Sequence, residues 1–207
     1  MKRTILAVFA TLLTMASYSL AGTTATNNNK VSPTVQFSAN IVDAVVLTIT
    51  KGSTGTACTI GAGTTTDYAV DFGTVDALAI NNGACGQKFT PAQTGSHAVY
   101  YTDYTLNPVY ASQPNTANPT ISAYVSTNFG AANIKIVRDT NNSSSAPAAN
   151  GFSALSTNSG SPDTIASAVA SGTPQTRWIG VDLDPSQNGS GLTGAQTATV
   201  TFTLTVN

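Results

Sequence analysis

The stretch Ala198–Val206, "ATVTFTLTV", alternates apolar residues with threonine along its whole length. Successive side chains of a β-strand point to opposite faces of the sheet, so this pattern predicts a strand with one buried and one solvent-facing side. Threonine suits the solvent-facing side because it is β-branched and polar. The closing segment therefore indicates a β-fold in which each sheet turns one face toward a core.

The same alternation recurs upstream, in short segments separated by turn-forming residues. The turns include "NNG" at 81–83 and "NP" at 107–108. Only "DTIASAVAS" (163–171) has apolar residues spaced four apart, and we predict it as a short helix or a strand. Many short strands between such turns favour one all-β, immunoglobulin-like (pilin-like) antiparallel sandwich over residues 35–207. The other predicted strands are 45–50, 68–72, 97–106, 120–126, 133–139 and 177–183.

Residues 1–21 have the features of a secretory signal peptide. Lys2 and Arg3 precede an apolar stretch, and small residues at the end allow cleavage after Ala21. The alternative, an uncleaved membrane anchor, is disfavoured because the apolar stretch is short for a bilayer span. Residues 22–34 are polar and predict a flexible leader. We therefore expect a secreted protein at the cell surface or in an extracellular appendage.

Charge is scarce in this chain. Charged residues make up 8% of the sequence and the formal net charge is −1, whereas about a quarter of the residues of a typical soluble domain are charged. No basic stripe is available for a phosphate backbone and no polybasic helix for anionic lipid, so we expect neither nucleic-acid binding nor membrane insertion. Low charge with many β-forming residues is common in surface-layer and filament proteins and in secreted β-domains generally.

Cys58 and Cys85 are the two cysteines of the chain. An even count in an oxidising compartment predicts one disulfide. The alternative is a redox-active or metal-binding pair, which favours Cys-x-x-Cys spacing or nearby histidines, and neither is present.

The segment "VDFGTVD" (70–76) contains the Asp-Phe-Gly triplet with which protein kinases hold magnesium. A kinase also needs a lysine–glutamate pair, and this chain contains no glutamate. We interpret the triplet structurally: Phe72 faces the core, Gly73 ends a strand and Asp71 caps the turn on the solvent side.

Two further segments imitate functional sites. "DLDPSQNGSG" (182–191) resembles the start of a calcium loop, but Ala195 occupies the place of the bidentate glutamate, so an Asx-rich turn is favoured. His97 is the only histidine, and no motif joins it to a serine and an aspartate. We predict no catalytic residue, no metal site, no cofactor and no enzymatic activity.

Aromatic residues are the best candidates for ligand binding. Aromatic rings stack on sugars, and Tyr101, Tyr104 and Trp178 are the residues that we consider able to face a glycan. Tyr100 and Tyr101 point to opposite sheet faces, so at most part of the tyrosine-rich segment shares a surface. Core and cross-strand packing is the favoured role.

Four motifs in order resemble a known family. "TVQFSANIVDAVVLTI" (34–49), Cys58, "AVDFGTV" (69–75) and the closing "ATVTFTLTV" resemble the spore coat protein U and chaperone–usher pilin-like secreted β-sandwiches. The resemblance implies a structural subunit that forms a homopolymer, with a periplasmic chaperone and an outer-membrane usher as partners. The Ser/Asn-rich segment 140–151 departs from the family pattern, and no clear helper-binding signature is present.

The run Val35–Ile49 is too long for one strand. It would extend over about 50 Å, whereas strands usually have five or six residues. Asp43 occupies one of the alternate positions whose side chains would point into the core, where burying an unpaired carboxylate costs free energy. We therefore divide the run into a first domain strand at 45–50 and a separate element at 31–41.

The element at 31–41 is a predicted donor strand. Val35, Phe37, Ala39 and Ile41 share one parity and could insert into a groove of the next subunit. The alternative is that they fold back onto their own sheet. The expected function is a structural subunit of an extracellular filament, pilus or coat. The alternative function is a secreted monomeric carbohydrate-binding or adhesive module.

Overall fold

The computed structural model describes residues 45–52, 58, 60–63, 66–111, 119–185 and 194–206. These residues form mainly β-strands with one short helix. The elements are β1 (Val45–Lys51), β2 (Ile60–Ala62), β3 (Tyr68–Val70), β4 (Lys88–Phe89), α1 (Pro91–Thr94), β5 (Ala98–Tyr110), β6 (Thr120–Thr127), β7 (Ile134–Asp139), β8 (Phe152–Ala154), β9 (Asp163–Ala166), β10 (Gln175–Leu183) and β11 (Thr199–Thr205).

The strands form two main sheets and one small hairpin. The large sheet has the order β1-β5-β10-β7-β8, with β4 also paired to β5; the second sheet has the order β11-β6-β9; β2 and β3 pair with each other. All of these pairings are antiparallel. The long strand β5 holds the large sheet together, because β1 and β10 pair along its two sides.

The two main sheets bury one hydrophobic core between them, which we call the sandwich core. The large sheet contributes Tyr104 and Leu106, and the second sheet contributes Ile121, Ala123 and Val125. Partly buried side chains that pack against this core are Leu47, Ile49, Ile136, Ile179, Val200, Phe202 and Leu204. The prediction of an all-β antiparallel sandwich is confirmed, and so is the Cys58–Cys85 disulfide.

In the closing strand β11, the apolar residues of the alternating sequence are the ones that pack against the core. Val200, Phe202 and Leu204 of β11 pack against the sandwich core, whereas Thr203 and Thr205 are exposed. The segment predicted as helix or strand at 163–171 begins as strand β9. The predicted first strand at 45–50 is β1, one residue longer.

Strand β5 is covered on both faces over its first half, which alternation does not indicate. Ala98 and Tyr100 belong to a second cluster under the segment 72–79. Val99 and Tyr101, on the other face, belong to a third cluster with Trp178. Residues 98–104 are therefore all buried.

Helix α1 was not predicted. Pro91 stands at its start, the Thr90 N–H donates to Gln93 Oε1 at 2.9 Å, and Gly95 ends it with φ 102. The signals are an N-cap threonine, a proline at the first position and a C-terminal glycine, all present in "TPAQTG". A single turn has no apolar period of its own, so these end signals were the only ones available.

Candidate functional site

Strands β1 and β11 form one flank of the sandwich. Strand β1 ends the large sheet and β11 ends the second sheet, and the two contact each other. Within the described residues, β1 pairs only with β5 and β11 only with β6. Each strand thus presents a row of main-chain N–H and C=O groups that no described strand pairs with. We call this edge the β1/β11 flank.

The sandwich core is incompletely covered at the β1/β11 flank. Leu47 and Ile49 of β1 point inward but remain only partly buried. The inward residues of β11 are also partly buried: Val200, Phe202 and Leu204. Removing apolar surface from water is favourable by about 25 cal/mol per Å². One further strand with alternating apolar side chains would therefore gain stability by covering this flank.

The other flank, beside β8 and β9, is closed. Leu155, Ile165 and Val169 retain 4%, 2% and 2% of their surface exposed. Strands β8 and β9 also end their sheets, but Leu155 and Val169, which follow these two strands in the chain, are themselves buried in the core. The inward side chains of β1 and β11 are only partly buried by comparison.

Two arginines join the sheets at the closed flank. Arg138 Nη2 lies 2.8 Å from Asp163 Oδ1, and the other oxygen of Asp163 accepts from the Ser156 N–H at 2.7 Å. Arg177 Nε donates to the Ile165 carbonyl at 2.8 Å. The hydrogen bond from Arg138 is the main reason why the pKa of Asp163 is lowered. These bonds tie β7 and β10 to β9.

The Asp-Phe-Gly segment forms a turn over the second cluster. Phe72 packs against that cluster, Gly73 has φ +67, and Asp71 Oδ1 accepts from the Gly73 N–H at 2.8 Å. Asp71 is exposed. The packing of Phe72 and the capping bond of Asp71 agree with the structural interpretation of the triplet, but strand β3 ends at Val70 and not at Gly73. The buried Cys58–Cys85 disulfide lies beside this turn. It joins residue 58 to residue 85, at the end of the loop region that follows the turn.

A rigid loop at 76–81 follows this turn. The Asp76 carboxylate accepts from the main-chain N–H groups of Leu78, Ile80 and Asn81 at 2.9, 3.0 and 2.6 Å. Burial alone raises the pKa of Asp76, but the hydrogen bonds from Asn81, Ile80 and Leu78 outweigh it and lower the pKa. A shallow recess beside the loop is lined by Gly73, Thr74 and residues 81–84, none of which is ionisable. The hydrogen bonds to Asp76 hold this loop in one conformation.

The aromatic residues considered for glycan binding are buried. Tyr101, Tyr104 and Trp178 retain 6%, 2% and 3% of their surface exposed. Tyr104 lies in the sandwich core, with its ring centroid 5.7 Å from that of Phe202. Their ring faces are not open to a ligand, and the structure corrects this expectation.

Tyr101 and Trp178 are covered by parts of the chain that are distant in sequence. Tyr101 stacks on Phe89 at 4.9 Å and meets Trp178 edge-on at 5.8 Å. Trp178 Nε1 donates to the carbonyl of Ser144, in the surface loop 140–151, at 3.4 Å. The loop 140–151 thus lies against the outer face of the large sheet, where Tyr101 and Trp178 belong to the third cluster.

The described residues contain no group of three or more His, Cys, Asp or Glu side chains that could hold a metal ion. His97 Nδ1 lies 3.3 Å from the hydroxyl of its neighbour Ser96. Burial raises the pKa of the Asp182 carboxyl group, and the electrostatic interaction with His97 partly opposes this increase. Much of the calcium-like segment, residues 186–191, lies outside the described residues.

The predicted donor strand also lies outside the described residues, and so do the predicted signal peptide and leader. In the part of the chain that is described, no helix is long and apolar enough to cross a membrane.

Comparisons with protein-family models, with curated proteins and with solved structures found no match to this chain. The resemblance to spore coat protein U and pilin-like sandwiches therefore stays a prediction from the sequence.

Proposed function

We propose that this chain is a structural subunit of an extracellular filament, pilus or coat, and that it assembles by donating a β-strand from one subunit to the next. The observation that supports this proposal is the β1/β11 flank. Two neighbouring edge strands border a sandwich core whose inward side chains stay partly exposed, while the opposite flank of the same core is closed.

The occupant of the flank is the segment 31–41 of another copy. Its apolar residues Val35, Phe37, Ala39 and Ile41 repeat with a period of two, which matches a strand that places every second side chain into a groove. Eleven extended residues span roughly 35 Å, which exceeds the roughly 23 Å of a seven-residue strand such as β1. The segment is long enough to cover the whole flank.

Export and assisted assembly follow from the same proposal. The predicted signal peptide takes the chain to an oxidising compartment, in which the Cys58–Cys85 bridge is stable. An apolar flank with unpaired strand edges favours aggregation before assembly. A periplasmic chaperone that covers the flank and an outer-membrane usher that releases it are therefore the proposed partners.

The alternative of a monomeric carbohydrate-binding or adhesive module has less support. The aromatic rings that would stack on a sugar are covered, as described above. An unfilled β1/β11 flank has no purpose in a monomeric module, because such a protein is expected to protect its sheet edges.

The test is the variant Phe37→Asp, expressed with its signal peptide. A carboxylate at this position is incompatible with an apolar groove. Ser38→Asp is the matched control, because residue 38 has the opposite parity and faces away from the groove. We expect Phe37→Asp to fold and to stay monomeric, whereas Ser38→Asp polymerises like the wild type in negative-stain electron microscopy.

A synthetic peptide of residues 31–41 extends this test. Added to Phe37→Asp subunits, it should fill the flank and raise the melting temperature, and the same peptide carrying Phe37→Asp should not. Unchanged polymers from Phe37→Asp would contradict strand donation. Destabilisation of the isolated domain by Phe37→Asp would instead favour the alternative in which the segment folds back onto its own sheet.

A further inference from the structure

Most of the exposed large apolar side chains of the described residues fall into two groups. Leu78 and Ile80, which we call the apolar tip, are 62% and 77% exposed. Val46 and Val109, which we call the valine patch, are directly opposite each other and 50% and 47% exposed, whereas Val45, 53% exposed, points to the other face of the sheet and is not part of the patch. Contiguous exposed apolar groups are unfavourable in water and mark interaction surfaces.

The apolar tip is held outward by a rigid loop. The Asp76 carboxylate binds the N–H groups of both tip residues. The Tyr100 hydroxyl donates to the Asn81 carbonyl at 3.0 Å, and Lys88 Nζ donates to the Ala79 carbonyl at 2.6 Å. Ala79, between the tip residues, is buried with φ 56. The loop therefore cannot hide Leu78 and Ile80 without breaking this network.

The valine patch lies where the β1–β5 ladder ends. Val46 is directly opposite Val109, and Val45 is opposite Tyr110. Tyr110 is anchored, because its N–H donates to Ser171 Oγ at 2.9 Å. The patch is thus part of an ordered sheet end.

The tip and the patch lie at opposite ends of the domain. Strand β5 connects them: Tyr100, near its start, holds the tip loop, and Val109, near its end, belongs to the patch. Nine residues of antiparallel strand span about 30 Å. One subunit cannot bring its own tip and patch together, but two copies stacked end to end can.

We propose that the apolar tip of one subunit docks on the valine patch of the next copy of this chain. The inference rests on the proposed strand donation and names a second contact between the same two subunits. The four side chains of the tip and the patch are aliphatic and uncharged, so none of them has a charge to desolvate when the two surfaces meet. The contact joins two different surfaces and does not close, so it propagates along a fibre.

The position of the proposed donor strand supports this stacking. Strand β1 starts beside the patch with Val45 and runs toward the tip end, since Lys51 is opposite Tyr104. Three residues, 42–44, separate the donor segment from Val45; they span at most about 11 Å. A donated strand that keeps the direction of β1 therefore places the patch of the donor subunit beside the tip of the acceptor.

The test introduces a positive charge on the tip and a negative charge on the patch, first separately and then together. Ile80→Lys and Val109→Asp should each reduce the rate of polymer formation, measured by light scattering, by at least about tenfold. Each introduces a charge into an apolar contact while its side chain stays solvated in the monomer, so melting temperatures should not change. The exposed positions Asn82→Lys and Asn128→Asp are charge-matched controls and should polymerise normally.

The double variant Ile80→Lys/Val109→Asp should recover most of the rate, because the lysine of one subunit then meets the aspartate of the next. Normal assembly of either single variant overturns the proposal. A double variant that assembles no better than the single variants also overturns it.

A cross-linking experiment separates this inference from strand donation. In the variant Ile80→Cys/Val109→Cys, mild oxidation should produce a ladder of disulfide-linked multimers. Ile80 lies in the loop held by Tyr100, and about 30 Å of strand β5 separates Tyr100 from Val109, too far for a bond within one subunit. The native Cys58–Cys85 pair, with 1% and 2% exposure, is protected from exchange.

If Phe37→Asp abolishes polymers while the ladder is absent, strand donation stands and the docking inference fails. If the wild type forms no polymers and Phe37→Asp changes nothing, the proposed function fails. In that case the cross-linking experiment alone decides the docking inference. A ladder of multimers supports the contact, whereas the detection of monomers and nothing larger overturns it.

Discussion

Truncation of Phe202 offers a quantitative test of the incomplete flank. Phe202 lies on β11, points into the sandwich core and meets Tyr104 edge-on at 5.7 Å, yet it is only partly buried. Truncating a fully buried phenylalanine to alanine costs about 3–5 kcal/mol. Because part of the Phe202 ring stays in water in the unassembled subunit, Phe202→Ala should cost less there, about 2–3 kcal/mol, of which the ring pair with Tyr104 supplies about 0.5–1.5 kcal/mol.

Covering the flank should increase that cost. Under the proposed strand donation, the bound peptide of residues 31–41 should enclose Phe202, and the same substitution should then approach the full cost of about 3–5 kcal/mol. The assay is urea unfolding of Phe37→Asp subunits, with and without Phe202→Ala and with and without peptide. Because peptide binding itself adds stability, the peptide is kept at the same multiple of its own dissociation constant for each protein.

Ile121→Ala is the matched control. Ile121 is 0% exposed in the middle of the same core, so its truncation should cost about 2–5 kcal/mol and the same amount with and without peptide. An equal cost of Phe202→Ala in both states would refute the argument, because the flank would then be as fully enclosed in the isolated subunit as in the complex.

Two further outcomes are expected. Replacing both Cys58 and Cys85 by serine should lower the free energy of unfolding by about 3–4 kcal/mol on the chain-entropy estimate, and mass spectrometry of the native protein should detect no free thiol. The pKa of Asp163 is lowered, first by its hydrogen bond from Arg138, so its contribution to stability is present above its unfolded pKa near 3.8 and is lost as pH falls through the lower folded value. Acid titrations of unfolding should therefore show a steeper loss below pH 4 in the wild type than in Asp163→Asn, and parallel curves would contradict the pairing.

Local patterns were sufficient for several features. The alternation of Ala198–Val206 predicted β11, and the position of Asp43 predicted that a new strand begins near Val45. The turn at Asp71–Gly73 was also predicted, because the capping bond joins residues two apart. These features depend on neighbours in sequence, so a sequence pattern carries most of the information about them.

Other features depend on parts of the chain that meet only after folding. Alternation indicates that one side of β5 is buried, but whether the other side is covered depends on loop 140–151 and on strand β8, which follows it. For this reason Tyr101 and Trp178 are core residues rather than ligand-facing ones. The β1/β11 flank likewise depends on sheet order, because only the arrangement of the sheets places these two edge strands next to each other.

The sequence by itself thus determined the class of fold, the disulfide and several strands such as β1 and β11, because these follow from side-chain period and cysteine count. The turn predicted at Asn107–Pro108 was wrong, since these residues lie inside strand β5, and the short strands β2, β4 and β8 were not predicted. Only the tertiary structure decided that β1 and β11 lie at one flank and that the apolar tip and the valine patch lie at opposite ends of β5. Strand pairing between distant segments is selected by the free energy of the whole chain, in which each pairing competes with all others, and no local pattern records the outcome.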